Sequence, residues 1–256
     1  MTTLSGARVR AVLVKEFRQY RRNKFILYTM VVLPVLFLVA PITTILNLPS
    51  TAPDVRVRAA VGSIFLLMLL VPVIVPAAIS AYSVIGERDQ GTLEPVLTTP
   101  IRREEFVLGK ALASIIPGVG LSYLLFAVIM TVLRLVGHPN VVHALWQVPW
   151  LVAEVLFAPL LAAWSTWIGT AISARSSDVR VAQQLGTLAS LPALAVTSLM
   201  TFQVLSPTVP VALTVAGVLV VIDVAALRVV SNLFDRERLI TGARATRVGA
   251  TRSRDT

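Results

Sequence analysis

Six apolar stretches, each about as long as a bilayer-spanning helix, leave this chain little choice of architecture. They cover roughly residues 25–46, 59–85, 111–136, 145–172, 185–205 and 209–230. About 20 apolar residues carry a helix across a membrane. Lipid offers the backbone no hydrogen-bond partners, so a spanning segment must satisfy its N–H and C=O groups within helices or closed barrels. The expected fold is therefore all-α, an integral membrane bundle of six transmembrane helices. The first five stretches hold Pro34, Pro72 with Pro76, Pro117, Pro149 with Pro159, and Pro192. Prolines at such places imply kinked, packed helices whose neighbours satisfy the freed carbonyls.

Composition points the same way. The chain is 56% hydrophobic and only 14% charged, where an average globular protein carries about 25% charged residues. Mean hydropathy is +0.81. There are no cysteines, which removes disulfides and thiolate chemistry. The first apolar run begins at Phe25. It is too long for a signal-peptide core and lacks a small-residue cleavage site, so it is expected to be a span.

The net charge of +10 could suggest nucleic acid, but the basic residues flank the spans, so no nucleic-acid partner is expected. With the N-terminus in the cytoplasm, the inner side holds seven Lys/Arg before Phe25, four in the segment 86–110, Arg175, Arg180 and seven from Arg228 to Arg254. The outer side holds Arg56, Arg58 and Arg134. This bias predicts a multi-pass protein of the cytoplasmic membrane with both termini inside. Residues 1–24 carry Val9, Val12, Leu13, Phe17 and Tyr20 at helical spacing, opposite Arg8, Arg10, Lys15, Arg18, Arg21, Arg22 and Lys24. That pattern predicts an amphipathic helix in the headgroup plane. The expected organisation is this helix, a transmembrane domain over 25–230, and a basic cytoplasmic tail over 231–256. Trp146 and Trp150 are expected at the outer interface, Trp164 and Trp167 near the inner one. Arg134 ends the third span and is expected to snorkel.

Between the second and third spans lies GERDQGTLEPVLTTPIRREEFVLGK, residues 86–110, with five acidic and four basic residues. Gly91 allows a tight turn, Thr92 can cap a short helix, Pro95 suits its first turn and Pro100 would stop it. Arg102 to Glu105 then begin the next long helix. A charged run alone often only solvates a turn. This one resembles the corresponding loop of ABC-2 type transporter permeases, at Glu87, Arg88, Gly91, Thr92, Leu93, Glu94, Leu97, Thr99, Pro100, Ile101, Arg103, Glu105, Gly109 and Lys110. Lys15-Glu16 followed by Arg21-Arg22, and the six-span layout, are similar to that family as well.

The resemblance implies a membrane-spanning subunit of an ATP-driven exporter, with a cytoplasmic coupling helix between helices 2 and 3 docking on a separate ATPase subunit. Two ATPase copies and a second permease, either another copy of this chain as a homodimer or a related permease, would complete the complex. No G-x-x-x-x-G-K-[ST] phosphate loop occurs, so the chain itself is expected to be no enzyme and to bind no cofactor. ATP and Mg would sit on the partner. The resemblance assigns ATPase coupling to Glu87, Arg88, Gly91, Thr92, Leu93, Glu94, Thr99, Pro100, Arg103, Glu105, Gly109 and Lys110. It places the substrate path along the dimer interface, with Thr43, Thr44, Thr197 and Phe202 as lining candidates. Some relatives carry a re-entrant hairpin between the last two helices. Here 185–230 has room only for two spans and a tight turn around Pro207.

Glu154 and Asp223 are the carboxylates inside apolar spans. Such groups are costly in lipid and face protein or water. Both are candidates for substrate or cation contact, but structural anchoring weighs more. Glu154 lies within two turns of Trp150 and could reach the outer interface, and Asp223 lies within two turns of Arg228. His138 and His143 lack the partners of a metal site, so no metal is expected. Two other classes compete: a secondary transporter or channel without ATPase, and a membrane scaffold that recruits a cytosolic protein through the same loop.

Overall fold

A computed structural model describes residues 5–49, 51–89, 102–176, 178–201, 204 and 207–233, and within them the chain is all-helical. In order, the helices are α1 (Gly6–Tyr20), α2 (Lys24–Leu46), α3 (Asp54–Asp89), α4 (Arg103–Val136), α5 (Pro139–Leu145), α6 (Val148–Arg175), α7 (Val179–Thr201) and α8 (Val209–Leu233). Four of them, α3, α4, α6 and α8, are long and apolar enough to cross a membrane.

The bundle is built around α3, which packs against α2, α4, α5, α6 and α7. Val71, Val73, Val75 and Ala77 are all fully buried. Successive members of that set point about 200° apart on a helix, so burial reaches opposite sides of α3 and leaves only a half-buried stripe along Leu67, Leu70, Ile74 and Ala78. Apolar burial over most of a helix is the signature of a place inside a bundle. By contrast α4 leaves Leu124 and Leu135 exposed, and α8 leaves Val221 and Val229 exposed. Those faces are the ones a bilayer would cover.

Close backbone approach holds α3, α6 and α7 together. A β-carbon on Gly169 of α6 would collide with the Ser80 hydroxyl of α3, and one on Gly186 of α7 would lie 3.6 Å from Gly169 Cα. One turn further along α6, the Ser173 hydroxyl donates to Ala81 O at 2.6 Å and accepts from the amides of Val84 and Ile85 at 3.2 and 3.3 Å. Small residues allow this proximity, and a hydroxyl can then bond directly to a neighbouring backbone.

The end of the bundle around α5 differs from the sequence expectation. The fourth apolar stretch was expected to start at Leu145, but Leu145 ends the short helix α5 and α6 begins at Val148. The break comes at Trp146 and Gln147, with Pro149 in the first turn of α6, where its missing N–H costs nothing. Val141 and Leu145 of α5 are buried in a cluster with Phe65, Ile129 and Leu133. Trp150, expected at an interface, is 5% exposed and stacks on Phe65 at 4.8 Å. Phe65 is eleven residues into α3, roughly 16 Å along its axis. The N-terminus of α6 therefore lies well below that of α3, because α5 folds back to carry it there.

One proline is accommodated by a neighbouring helix. Pro159 has no N–H to give the carbonyl of Val155, four residues earlier. Tyr123 of α4 supplies the missing donor, its hydroxyl lying 2.7 Å from Val155 O. Removing that hydroxyl with Tyr123→Phe should lower unfolding free energy in mixed micelles by about 1 kcal/mol. In a Pro159→Ala background the backbone N–H returns, and the same change should cost measurably less. Equal losses in both backgrounds would show that Tyr123 does not serve the proline.

Candidate functional site

The charged segment between α3 and α4 is flanked by a cluster of two lysines and two glutamates. Glu87 lies in the last turn of α3, and Lys110 lies two turns into α4. Lys15 and Glu16 come from α1. Lys110 Nζ donates to Glu16 Oε1 at 3.0 Å and to the carbonyl of Ser83 at 2.8 Å, and lies 3.2 Å from Glu87 Oε1. The Lys15 ammonium pairs with Glu87 and with Glu16, the latter at 3.3 Å. Lys110 also sits 5.1 Å from the Phe106 ring centroid, within reach of the ring's negative face. Glu16, Glu87 and Lys110 are at most 2% exposed, while the Lys15 side chain is 37% exposed. Two ammoniums meet two carboxylates, so the cluster is neutral as a whole, the condition under which charges tolerate burial.

Local sequence explains how α1 reaches this place. Val12, Glu16 and Tyr20 are its buried residues, spaced four apart and so stacked on one face. The helix lies across the start of α4. A β-carbon on Gly109 would sit 2.6 Å from Val12 Cβ and 3.1 Å from Val9 O, so the glycine is what admits the close approach. The start of α4 is fastened too. The Glu105 carboxylate accepts the Arg102 N–H at 3.0 Å, the Ser5 N–H at 2.8 Å and an Arg8 N–H at 3.3 Å. A carboxylate at the third helical position satisfies an orphan amide and suits the positive helix end.

Electrostatics match the geometry. Burial pushes the Glu16 carboxyl up, but Lys110 and Lys15 outweigh it and hold the group below its ordinary 4.5. Burial pulls the Lys15 ammonium down, but Glu16 and Glu87 hold it above 10.5. Burial, with Glu16 next, pushes the Tyr20 phenol well above 10.0, so it stays neutral beside the cluster.

Of the residues assigned to coupling, the structure thus brings together Glu87 and Lys110, with Glu105 and Gly109 on the same stretch of α4 beneath α1. Gly91, Thr92, Leu93, Glu94, Thr99 and Pro100 lie outside the described residues, as do the side chains of Arg88 and Arg103. The sequence reading missed Glu16 as a partner of Lys110. The signal was present: one carboxylate on the apolar face of an otherwise basic amphipathic helix.

The lining candidates do not converge. Thr43 and Thr44 are exposed on α2, and their hydroxyls bond to their own helix at Val39 and Ala40. Phe202 and the Thr197 side chain lie outside the described residues. Glu154 does not reach the surface. It is fully buried, because α6 starts deep, and its Oε1 accepts the Ser122 hydroxyl at 3.1 Å. Its Oε2 has no hydrogen-bond partner among the described residues, nor has either carboxylate oxygen of Asp223, which is 9% exposed. Among the described residues no group of His, Asp and Glu could hold a metal ion.

Two measurements test the cluster. Lys110→Met leaves Glu16 buried without its main partner and should destabilise the chain by about 3 kcal/mol, whereas adding Glu16→Leu should restore most of it, since Lys15 and Glu87 still pair. A double variant no more stable than the single one would show that the pairing does not govern the site. On linkage grounds, the Glu16 contribution is complete above pH 4.5 and is lost as pH falls through its lowered folded value. That of Lys15 is complete below 10.5 and is lost as pH rises through its raised value. Acid unfolding curves should therefore lose this step in the double variant.

Compared one by one with curated proteins, the chain matches none. Compared with protein families, it matches the ABC-2 type transporter over residues 7–222. That match takes in α1, the buried charge cluster and nearly all of the bundle, and so the chain belongs to the ABC-2 type transporter family as a membrane domain.

Proposed function

We propose that this chain is the permease subunit of an ATP-driven ABC-2 type exporter. It carries six spans, α2 and α7 joining the four long apolar helices. Each of these two has 23 residues, a length of roughly 35 Å, enough for a bilayer. Both termini face the cytoplasm of the inner membrane, in keeping with the distribution of Lys and Arg. Two copies form the translocation path, and each docks one ATPase subunit through residues 86–110. ATP and Mg are held by that partner. The family match to a membrane domain fits a subunit without hydrolytic machinery of its own.

The observation that carries this reading is the clamp on the charged segment. Glu87 before it and Lys110 after it are tied to each other and to Glu16 of α1. A loop that only solvated a turn would need no such anchorage. A loop that receives force from a soluble partner does, because slack at its ends would absorb the movement. The cluster makes α1, α3 and α4 one piece at this end, so a push on the segment moves α3, the helix at the centre of the bundle.

In this arrangement Glu87, Lys110 and Glu105 set the frame, and Gly91, Thr92, Leu93, Glu94, Thr99 and Pro100 form the docking surface, with Arg88 and Arg103 at its ends. Thr43 and Thr44 lie on the exposed side of α2, where a second copy would reach them, and Thr197 and Phe202 belong to the same path. Cargo is amphipathic or lipidic, in keeping with the apolar walls.

The test is a tagged pull-down in mild detergent or nanodiscs. The expected result is a soluble chain with a phosphate-binding loop at one copy per permease. Glu94→Arg and Gly91→Pro should release that chain while the permease elutes and melts like the wild type. Full retention and full transport in both variants would reject the docking role of the segment.

A further inference from the structure

At the opposite end of the bundle from the charge cluster, α5 and the start of α6 turn back beside the last turn of α4. They leave an open cleft of about 640 Å³ whose lining includes Arg134, His143, Trp146, Gln147 and Val148. Ligand sites commonly fall between about 300 and 1,000 Å³. The Arg134 guanidinium lies 5.6 Å from the Trp146 ring centroid, a stacking distance. A cation–π contact uses none of the guanidinium N–H groups, which stay available to an acceptor. No carboxylate pairs with it among the described residues, and no Asp or Glu occurs between Glu105 and Glu154. Gln147 makes no capping bond to α6, and its amide and the His143 ring add donors to the same cleft.

The rim is apolar. Leu135, Val136 and Val148 are 79%, 60% and 60% exposed. A membrane protein has one obvious use for such a shelf beside a stacked cation at the end of a span: acyl chains lie against it while the headgroup lies at the level of Trp146, whose ring suits the boundary between hydrocarbon and water. Arginine binds phosphate oxygens in pairs, with geometric specificity that a flexible lysine lacks.

We propose that this cleft binds the phosphate of an anionic phospholipid, with Arg134 as the main phosphate ligand, Trp146 holding its guanidinium in place, and His143 and Gln147 completing the donor set. The inference requires only that the chain is embedded in a bilayer, and it is independent of the ATPase partner.

The full chain, purified in a nonionic detergent, is titrated with short-chain phosphatidylglycerol, with phosphatidylcholine of the same chain length, and with inorganic phosphate. Bound molecules are counted by native mass spectrometry. The expected result is one saturable phosphatidylglycerol per chain, bound on the order of tenfold more weakly after Arg134→Ala. Arg134→Lys should recover part of the loss. Arg58→Ala, an exposed arginine near the start of α3, should change nothing. Unchanged binding in Arg134→Ala, an equal loss in Arg58→Ala, or equal binding of phosphatidylcholine would each overturn the proposal. Inorganic phosphate displacing the lipid at similar concentration would overturn the lipid assignment in favour of a free anion. If Arg134→Ala does not fold, His143→Ala and Gln147→Ala carry the same comparison, and unchanged binding in both would count against the site.

Discussion

A neutral cluster of buried charges organises the end of the bundle where α1 meets α3 and α4. Lys110 is nearly inaccessible to solvent, and Glu16 and Glu87 are as well. None of the three would tolerate that position alone, since an isolated ion in a low-dielectric interior loses far more hydration than packing returns. Together they are stable only in one arrangement of α1, α3 and α4. The cost of separating any member makes the cluster a specifier of geometry more than a source of net stability. It fixes where the chain leaves α3 and where it re-enters α4, and hence the span between the two ends of the segment that follows Asp89.

The rest of the bundle is held by a different kind of contact. Inside a membrane no hydrophobic effect drives helix to helix, so close packing and backbone-directed hydrogen bonds must suffice. Gly169 and Gly186 bring three helices within backbone distance. Ser173 and Tyr123 place hydroxyls on carbonyls of their neighbours. In both cases a side chain short or flat enough to lie between helices completes the backbone of another element. The buried polar atoms that remain without hydrogen-bond partners among the described residues include the hydroxyls of Ser165 and Thr166, Glu154 Oε2 and both oxygens of Asp223.

Sequence periodicity revealed most of this fold because membrane helices announce themselves by length and hydropathy. α3, α4, α6 and α8 are legible on that basis, and Glu105 as the first-turn carboxylate of α4 follows from its place after Arg102. The partners of Lys110 were not legible. Glu16 lies 94 residues away in the chain, and only the packing of α1 across Gly109 brings them together. The depth of Glu154 was misjudged for a similar reason. Counting turns from Trp150 assumes that tryptophan marks the surface, whereas α5 folds back and carries Trp150 into the core. Tyr123 could be matched to the proline-freed carbonyl of Val155 only once α4 and α6 were known to be neighbours. In each case the missing information was which helices pair, a long-range property that local pattern does not encode.

The serine that joins α6 to α3 has a mechanical consequence. Ser173 grips α3 at residues 81 to 85, a single turn from Asp89 at its C-terminal end. From there to Asp54 the helix runs another 31 residues, roughly 45 Å. A tilt of α3 about that grip is a lever with a short arm of about 6 Å and a long arm several times greater. A displacement delivered beside Glu87 acts on the short arm, and the long arm, with Pro72 and Pro76 along it, is where the neighbouring helices must take it up.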